Sequence, residues 1–289
     1  AHAPGGGGLR PAADAARGER SLHRADAAQT RASHHPAADG GLEGSDSMGA
    51  DVGTVDAAGR TTLMHVAGEG DAEALRLQLA HGAAVNATDE CQCTALMYAA
   101  TYGHVEAVRC LIKGGAEVEA KSQDGWTPLI TAAYNGHLQV VECLIEQRAH
   151  VEAADERGWT SLMHVAFNGD TATLRCLLEF RAQVDALDAD GRDALVYAAF
   201  NGHLDNATCL LECSAARHGG SQGDTARDTA LLFAAIRGHS DVLLLLLQAY
   251  RATPETQHAA QKLAADHGHA TVVELLQCFS RDHQHELQR

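Results

Sequence analysis

The chain has 289 residues, of which 55 are Ala and only 12 are aromatic (two Trp, five Tyr, five Phe), which excludes a single large core built around bulky rings. Hydrophobic residues make up 45 % and charged residues 21 %, ordinary values for folded domains, so the chain as a whole is neither collagen-like nor disordered. The formal net charge is −16, and 32 of the 38 acidic residues lie after residue 50; such a surface repels phosphate backbones and anionic lipid, and nucleic acid is not an expected partner.

Residues 1–50 carry the run Gly5 to Gly8, the pair Gly40-Gly41 and few large apolar side chains beyond Leu9, Leu22, Leu42 and Met48. That composition cannot offset the entropy of ordering, so the segment is predicted to be disordered, with His34 and His35 part of a solvated tail. The chain begins at Ala1 without an apolar stretch of signal-peptide length, and the Leu-rich run Val242 to Leu247 has six residues against the roughly 18 needed to cross a bilayer. The expectation is a fragment or processed chain that has no secretory address and no membrane insertion, and is cytoplasmic or nuclear.

From Gly59 onward the sequence repeats. Leu63, Leu96, Leu129, Leu162 and Leu195 are spaced by 33 residues, each inside a phrase such as Gly125-Trp-Thr-Pro-Leu-Ile or Gly158-Trp-Thr-Ser-Leu-Met. An Ala or Ala pair follows at fixed offset (Ala67, Ala99-Ala100, Ala132-Ala133, Ala166, Ala198-Ala199), then Gly70-Asp71, Gly103-His104, Gly136-His137, Gly169-Asp170 and Gly202-His203. After the insertion-like stretch Cys213 to Asp228 the phrase returns at Leu231, Ala234-Ala235 and Gly238-His239, and a degenerate unit keeps Ala264-Ala265 and Gly268-His269. Each unit reads as two short helices. The first ends at the Gly, which takes the left-handed conformation that closes a helix. The second carries apolar residues on one face, as in Val105, Val108, Leu111 and Ile112, and Asp71 and Asp170 are suited to cap it.

These phrases resemble those of the ankyrin repeat family, whose 33-residue unit contains Thr-Pro-Leu-His-x-Ala. The resemblance covers residues 51–281 and implies an all-α ankyrin-repeat solenoid: about six repeats of stacked helix pairs with β-turn fingers, then a C-terminal helical cap and a flexible tail over 282–289. Where the family has His in the phrase, this chain has Met64, Met97, Ile130, Met163, Val196 and Leu232, so the usual histidine hydrogen-bond network is expected to give way to apolar packing. Arg148 and Arg181 stand where Gly82 and Gly115 stand in earlier units, at a cost of about 1 kcal/mol each if the backbone is left-handed there.

Cys110, Cys143, Cys176 and Cys209 are themselves spaced by 33. They read as buried small apolar residues of the second helix, too far apart between units for disulfides. Cys91-x-Cys93 reads as a pair of surface thiols, because a structural zinc site needs a second pair. The Gly-His histidines recur with the unit and are read as structural. No phosphate-binding Gly loop, nucleophile elbow or isolated carboxylate pair is present, so no catalytic residue, metal site or cofactor is expected.

A partner is expected at positions that the repeat leaves free. One follows the finger Gly (Arg60, Cys93, Trp126, Trp159, Arg192, Asp228), and two lie between the Ala pair and the Gly (Thr101-Tyr102, Tyr134-Asn135, Phe167-Asn168, Phe200-Asn201, Ile236-Arg237). Trp126, Trp159, Tyr102, Tyr134, Phe167 and Phe200, with Asn135, Asn168 and Asn201, form the expected partner-binding set, read as an exposed aromatic patch. The competing reading has the rings seal the stack. Asp124, Asp155, Glu156, Asp188, Asp190 and Asp228 would rim the patch and favour a protein partner with an apolar or aromatic core and a basic edge. The expected function is a non-catalytic, monomeric scaffold or adaptor; the alternative is a regulatory or substrate-recruiting segment of a larger enzyme such as a kinase or ubiquitin ligase subunit.

Overall fold

In the computed structural model, residues 54–218, 224–250 and 252–287 are described, so the expectation for residues 1–50 lies outside them. Among the described residues there are 14 helices and two isolated antiparallel bridges, Val55 with Thr61 and Ala154 with Thr160. The contacts divide the chain into two units that meet between Ala189 and Asp190, and each is treated separately.

The first unit holds α1 (Thr62–Glu69), α2 (Ala72–Ala80), α3 (Ala95–Thr101), α4 (Val105–Lys113), α5 (Pro128–Tyr134), α6 (Leu138–Glu146), α7 (Ser161–Asn168) and α8 (Thr171–Glu179). Each first helix starts at a Thr whose hydroxyl accepts the amide three residues on: Thr61 from Met64, Thr94 from Met97, Thr127 from Ile130 and Thr160 from Met163. The family His is therefore dispensable for the cap. Met64, Met97, Ile130 and Met163 are buried, as expected, and the Met64 sulfur accepts the Thr61 amide at 3.4 Å.

The odd helices stack in one row and the even helices in another. Ala67, Ala99, Ala100, Ala132, Ala133 and Ala166 are no more than 1 % exposed, so the small residue of the phrase is what lets the first helices approach one another. Fingers are stitched by backbone hydrogen bonds in register. The Glu90 amide donates to the Ala58 carbonyl (3.1 Å), Gln123 to Cys91 (2.9 Å), Glu156 to Asp124 (3.1 Å) and Ala189 to Arg157 (3.0 Å).

The recurring Gly-His pair also joins one repeat to the next. His104 Nε2 lies 2.9 Å from the Gly68 carbonyl and His137 Nε2 lies 2.8 Å from the Thr101 carbonyl. A Cβ at Gly70 would fall 2.5 Å from the His104 ring, and the same contact recurs between Gly103 and His137. Gly is thus required both for its left-handed backbone, φ 79° at Gly70, and for the close approach of the next ring.

Arg148 and Arg181 do adopt φ 66°, whereas Gly82 and Gly115 are at 85° and 92°. Left-handed strain at a residue with a Cβ exceeds the entropy that Gly would add to the unfolded chain. Arg148→Gly and Arg181→Gly are each expected to raise stability by about 0.5–1 kcal/mol in urea unfolding. A loss would show that the arginine side chains hold contacts worth more than the strain.

The second unit holds α9 (Ala194–Asn201), α10 (Leu204–His218), α11 (Asp224–Arg237), α12 (Ser240–Ala249), α13 (Pro254–Asp266) and α14 (Ala270–Leu287). Here α9 packs on α11, α11 on α13, and α10, α12 and α14 follow in the second row. The inserted residues lengthen helices on both sides: α10 has 15 residues and α11 has 14, against 9 and 8 in α8 and α7. Asp228, expected on a finger, therefore sits on α11. The last helix runs to Leu287, into the expected 282–289 tail. Asp193 replaces the Thr cap, accepting the Val196 amide at 3.0 Å; burial pushes its carboxyl up to about 6 against that hydrogen bond.

Cys110, Cys143, Cys176 and Cys209 are buried thiols, at most 7 % exposed, as their column implied. Burial pushes the Cys176 thiol up to about 11, aided by Glu142 and Glu179. Cys91 is exposed, but Cys93 is 3 % exposed. This corrects the expectation of two surface thiols: Cys93 occupies the position that Trp126 and Trp159 fill in later fingers, beneath the turn.

Candidate functional site

The rings expected on the surface divide by depth. Tyr102 is 40 % exposed, Tyr134, Asn135 and Asn201 are half-buried, and Asn168 is exposed. Trp126, Trp159, Phe167 and Phe200 are 5 %, 2 %, 9 % and 3 % exposed. The expectation of an exposed patch is corrected at these four.

The reason is ring packing between neighbouring repeats. The Trp126 ring lies 5.1 Å from Tyr134 and 4.9 Å from His164, centroid to centroid, and Tyr134 lies 5.9 Å from His164, all edge-on. Trp159 in turn packs at 5.2 Å on His164 and 5.6 Å on Phe167. Five rings from two repeats thus form one cluster in the favoured geometry for aromatic pairs. The Trp126 indole N–H is buried with no hydrogen-bond partner among the described residues, so packing alone holds that ring. In the second unit Phe200 packs on Phe233 at 5.7 Å, under the Arg237 guanidinium at 4.8 Å.

The asparagines are partly committed as well. Asn168 Nδ2 donates to the Tyr134 carbonyl (2.6 Å) and Asn135 Nδ2 to the Thr131 carbonyl (2.8 Å). Each keeps a carboxamide oxygen for which no protein donor is described.

The acidic rim is also narrower than expected. Asp124, Glu156 and Asp190 are exposed, but Asp155 and Asp188 are 7 % and 8 % exposed. Asp155 folds back to accept the amides of Arg157 (2.9 Å) and Trp159 (2.8 Å), and its other oxygen faces His164 Nε2 at 3.2 Å. Burial pushes the Asp155 carboxyl up, but the hydrogen bonds and the nearby Arg157 charge outweigh it and hold the group below the usual carboxylate value. Burial pushes His164 down, Arg157 adds to that, and Asp155 opposes it.

The same finger-to-helix pairing recurs nine residues apart in other repeats. His65 Nε2 lies 3.1 Å from Asp56, and the Tyr98 hydroxyl donates to Asp89 at 2.7 Å. Sequence reading passed over Tyr98 and His65, although their shared 33-residue column with His164 was available to find them. Asp56 is held at about 2: burial raises it, and the Arg60 and Ala58 hydrogen bonds more than compensate.

Tyr98 and Tyr102 line a pocket of about 160 Å3 with Arg60, Met64, His65, Gly68 and Glu69, formed by α1, α3 and the first finger. It is a concave, largely apolar recess on the first-helix row whose lining includes the mostly buried Arg60 and the exposed Glu69. Among the described residues, no group of three or more His, Cys, Asp or Glu side chains could hold a metal ion, and no helix is long and apolar enough to cross a membrane.

Comparison with known proteins gives one family. A family model for ankyrin repeats in three copies matches residues 43–122, 63–155, 115–186 and 148–219, overlapping spans that run from residue 43 to residue 219. A search of curated proteins gave no match.

Proposed function

The chain belongs to the ankyrin repeat family, and on that premise we propose that it is a non-catalytic protein-interaction module whose partner docks on the first-helix row of the first unit. The observation that carries this reading is the large exposed ring of Tyr102 beside a concave apolar pocket. Solvent-facing apolar surface next to a recess is where a protein partner gains most from desolvation.

Tyr102, Tyr134, Asn135 and Asn168 present the contact surface in this reading, and Asn201 holds the corresponding place in the second unit. The buried Trp126, Trp159, Phe167 and Phe200 shape the face from beneath. The exposed carboxylates of Glu90, Asp124 and Glu156 line the fingers of the first unit. They favour a partner with a basic edge and make its association faster at low salt.

The test is affinity capture with the full chain and with a Tyr102→Ala, Asn135→Ala, Asn168→Ala variant, read by quantitative mass spectrometry. Specific protein partners are expected to drop by roughly tenfold or more while the unfolding midpoint stays close to that of the unaltered chain. Partners retained equally by the variant would place the contact surface elsewhere.

A further inference from the structure

The pocket at the junction of the first two repeats has an internal explanation. Gly68 occupies the column that continues, at 33-residue spacing, as Thr101, Tyr134, Phe167 and Phe200. At the junction of the third and fourth repeats the Tyr134 ring fills this position, between Trp126 of its own finger and His164 of the next first helix. Two repeats earlier, the counterparts of those neighbours are Arg60 and Tyr98. Both line the pocket, and Gly68 between them has no side chain. The pocket is the volume of a missing ring.

We infer that this recess is a socket for one aromatic side chain of a protein partner, presented on a basic segment; the inference rests on the protein-binding reading above and specifies its anchor. Size agrees, because about 160 Å3 compares with the ~150 Å3 at which an apolar cavity admits one benzene ring. Chemistry agrees as well. Met64 and the Tyr98 and Tyr102 rings offer an apolar, polarisable lining, and a guanidinium against a ring face is a contact this chain already makes, Arg157 over Trp159 at 5.2 Å.

The Arg60 charge is matched by Asp56, with Nε 2.7 Å from the carboxylate. The exposed Glu69 carboxylate at the mouth is therefore what selects the flanking residues of the ligand, and those are basic. The occupant is not supplied by residues 1–53, which contain no Phe, Tyr or Trp. Tyr102 is already seated over Gly68, where an added Cβ would meet its ring carbons at 3.3 and 3.4 Å. Its ring covers the Gly68 side of the socket and lines the space that remains open.

The methionines provide the readout. There are four, Met48, Met64, Met97 and Met163. Met64 lines the socket, and the buried Met163 is its counterpart in the fourth repeat. The full chain labelled with 13C at the methionine methyls is titrated with acetyl-Lys-Arg-Trp-Arg-Lys-amide and with the same peptide carrying Phe or Ala in place of Trp.

The Trp and Phe peptides are expected to bind at least roughly tenfold more tightly than the Ala peptide and to move the Met64 methyl signal by ring current while leaving Met163 in place. Gly68→Phe, which fills the socket from within, is expected to abolish both the preference and the Met64 shift. Its unfolding midpoint is measured alongside, because the Tyr102 ring must move to admit the new side chain. The unaltered chain decides the question even if that variant folds poorly.

Equal binding of the Trp and Ala peptides, or a shift at Met163 rather than Met64, overturns the socket. The capture experiment with the Tyr102, Asn135 and Asn168 variant is independent of the peptides, so a failed socket leaves the docking face standing and a failed docking face is recognised separately.

Discussion

Trp159→Ala is expected to lower the stability of the chain by about 3–5 kcal/mol, whereas Tyr102→Ala changes it by less than about 1 kcal/mol. Both residues belong to the set expected to meet a partner, and both are large rings at positions that the repeat phrase leaves variable. Trp159 is 2 % exposed and packs on His164 and Phe167, while Tyr102 is 40 % exposed. Removing the indole leaves a cavity against His164 and Phe167, whose helix is fixed by its close alanine contacts with its neighbour. The outcome is read as the urea midpoint of each single variant. A Trp159→Ala chain as stable as the unaltered one would mean that the packing on His164 and Phe167 does not support the fold, and would return Trp159 to the binding surface.

Much of the fold is legible in the sequence because its determinants are local and repeated. The Thr caps, the closing Gly, the Ala pair and the cysteine column each depend on a few neighbouring residues or on the identical position 33 residues away. Even the left-handed backbone at Arg148 and Arg181 follows from the Gly at the same place in earlier units. The depth of the aromatic side chains was not legible, for a physical reason. Tyr134 meets His164, 30 residues further on, and whether a ring at a variable position is covered depends on what the next repeat presents there. Asp155 shows the same limit: a finger carboxylate reads as a charged rim until a ring from the following helix is seen to receive it.

The binding face shifts accordingly. Trp126, Trp159 and Phe167 fill the ring layer within the first unit, and Phe200 is covered by Phe233 and Arg237 within the second. At Gly68 the column lacks a ring, and there a pocket opens between the first two repeats. The most informative residue for function is therefore a glycine with ordinary helical backbone, which no motif search selects and which becomes visible only when its column is compared with the filled junction at Tyr134.

The second large effect concerns the buried Asp155–His164 pair, whose side chains are 1 % and 0 % exposed. Asp155→Ala is expected to cost about 3–5 kcal/mol, the sum of about 1–3 kcal/mol for each buried donor left without its acceptor: the Arg157 and Trp159 amides and the His164 ring. The pair also predicts a pH dependence with a defined sign. The folded-state His164 is held below its ordinary value, mainly by burial, so as pH falls below about 6.5 the unfolded chain takes up a proton that the folded chain refuses, and stability drops. Asp155 is held below the ordinary carboxylate value, so its contribution persists to lower pH and is lost only as pH falls below about 4. Between pH 7.5 and 5.5 the urea midpoint of the unaltered chain should therefore fall. His164→Gln, which keeps an N–H donor toward Asp155 but cannot titrate, should start from a lower midpoint because it loses the ring contacts, and should then fall less over the same interval. His239, also held down by burial, acts in the same sense and Asp193, raised to about 6 by burial, acts in the opposite sense; both are unchanged in the variant, so their contributions cancel in the comparison. Equal slopes for the two chains would mean that His164 binds its proton equally well folded and unfolded, and a smaller fall in the unaltered chain than in the variant would mean that His164 is already protonated in the folded state, with the finger anchored by an ion pair instead of a neutral hydrogen bond.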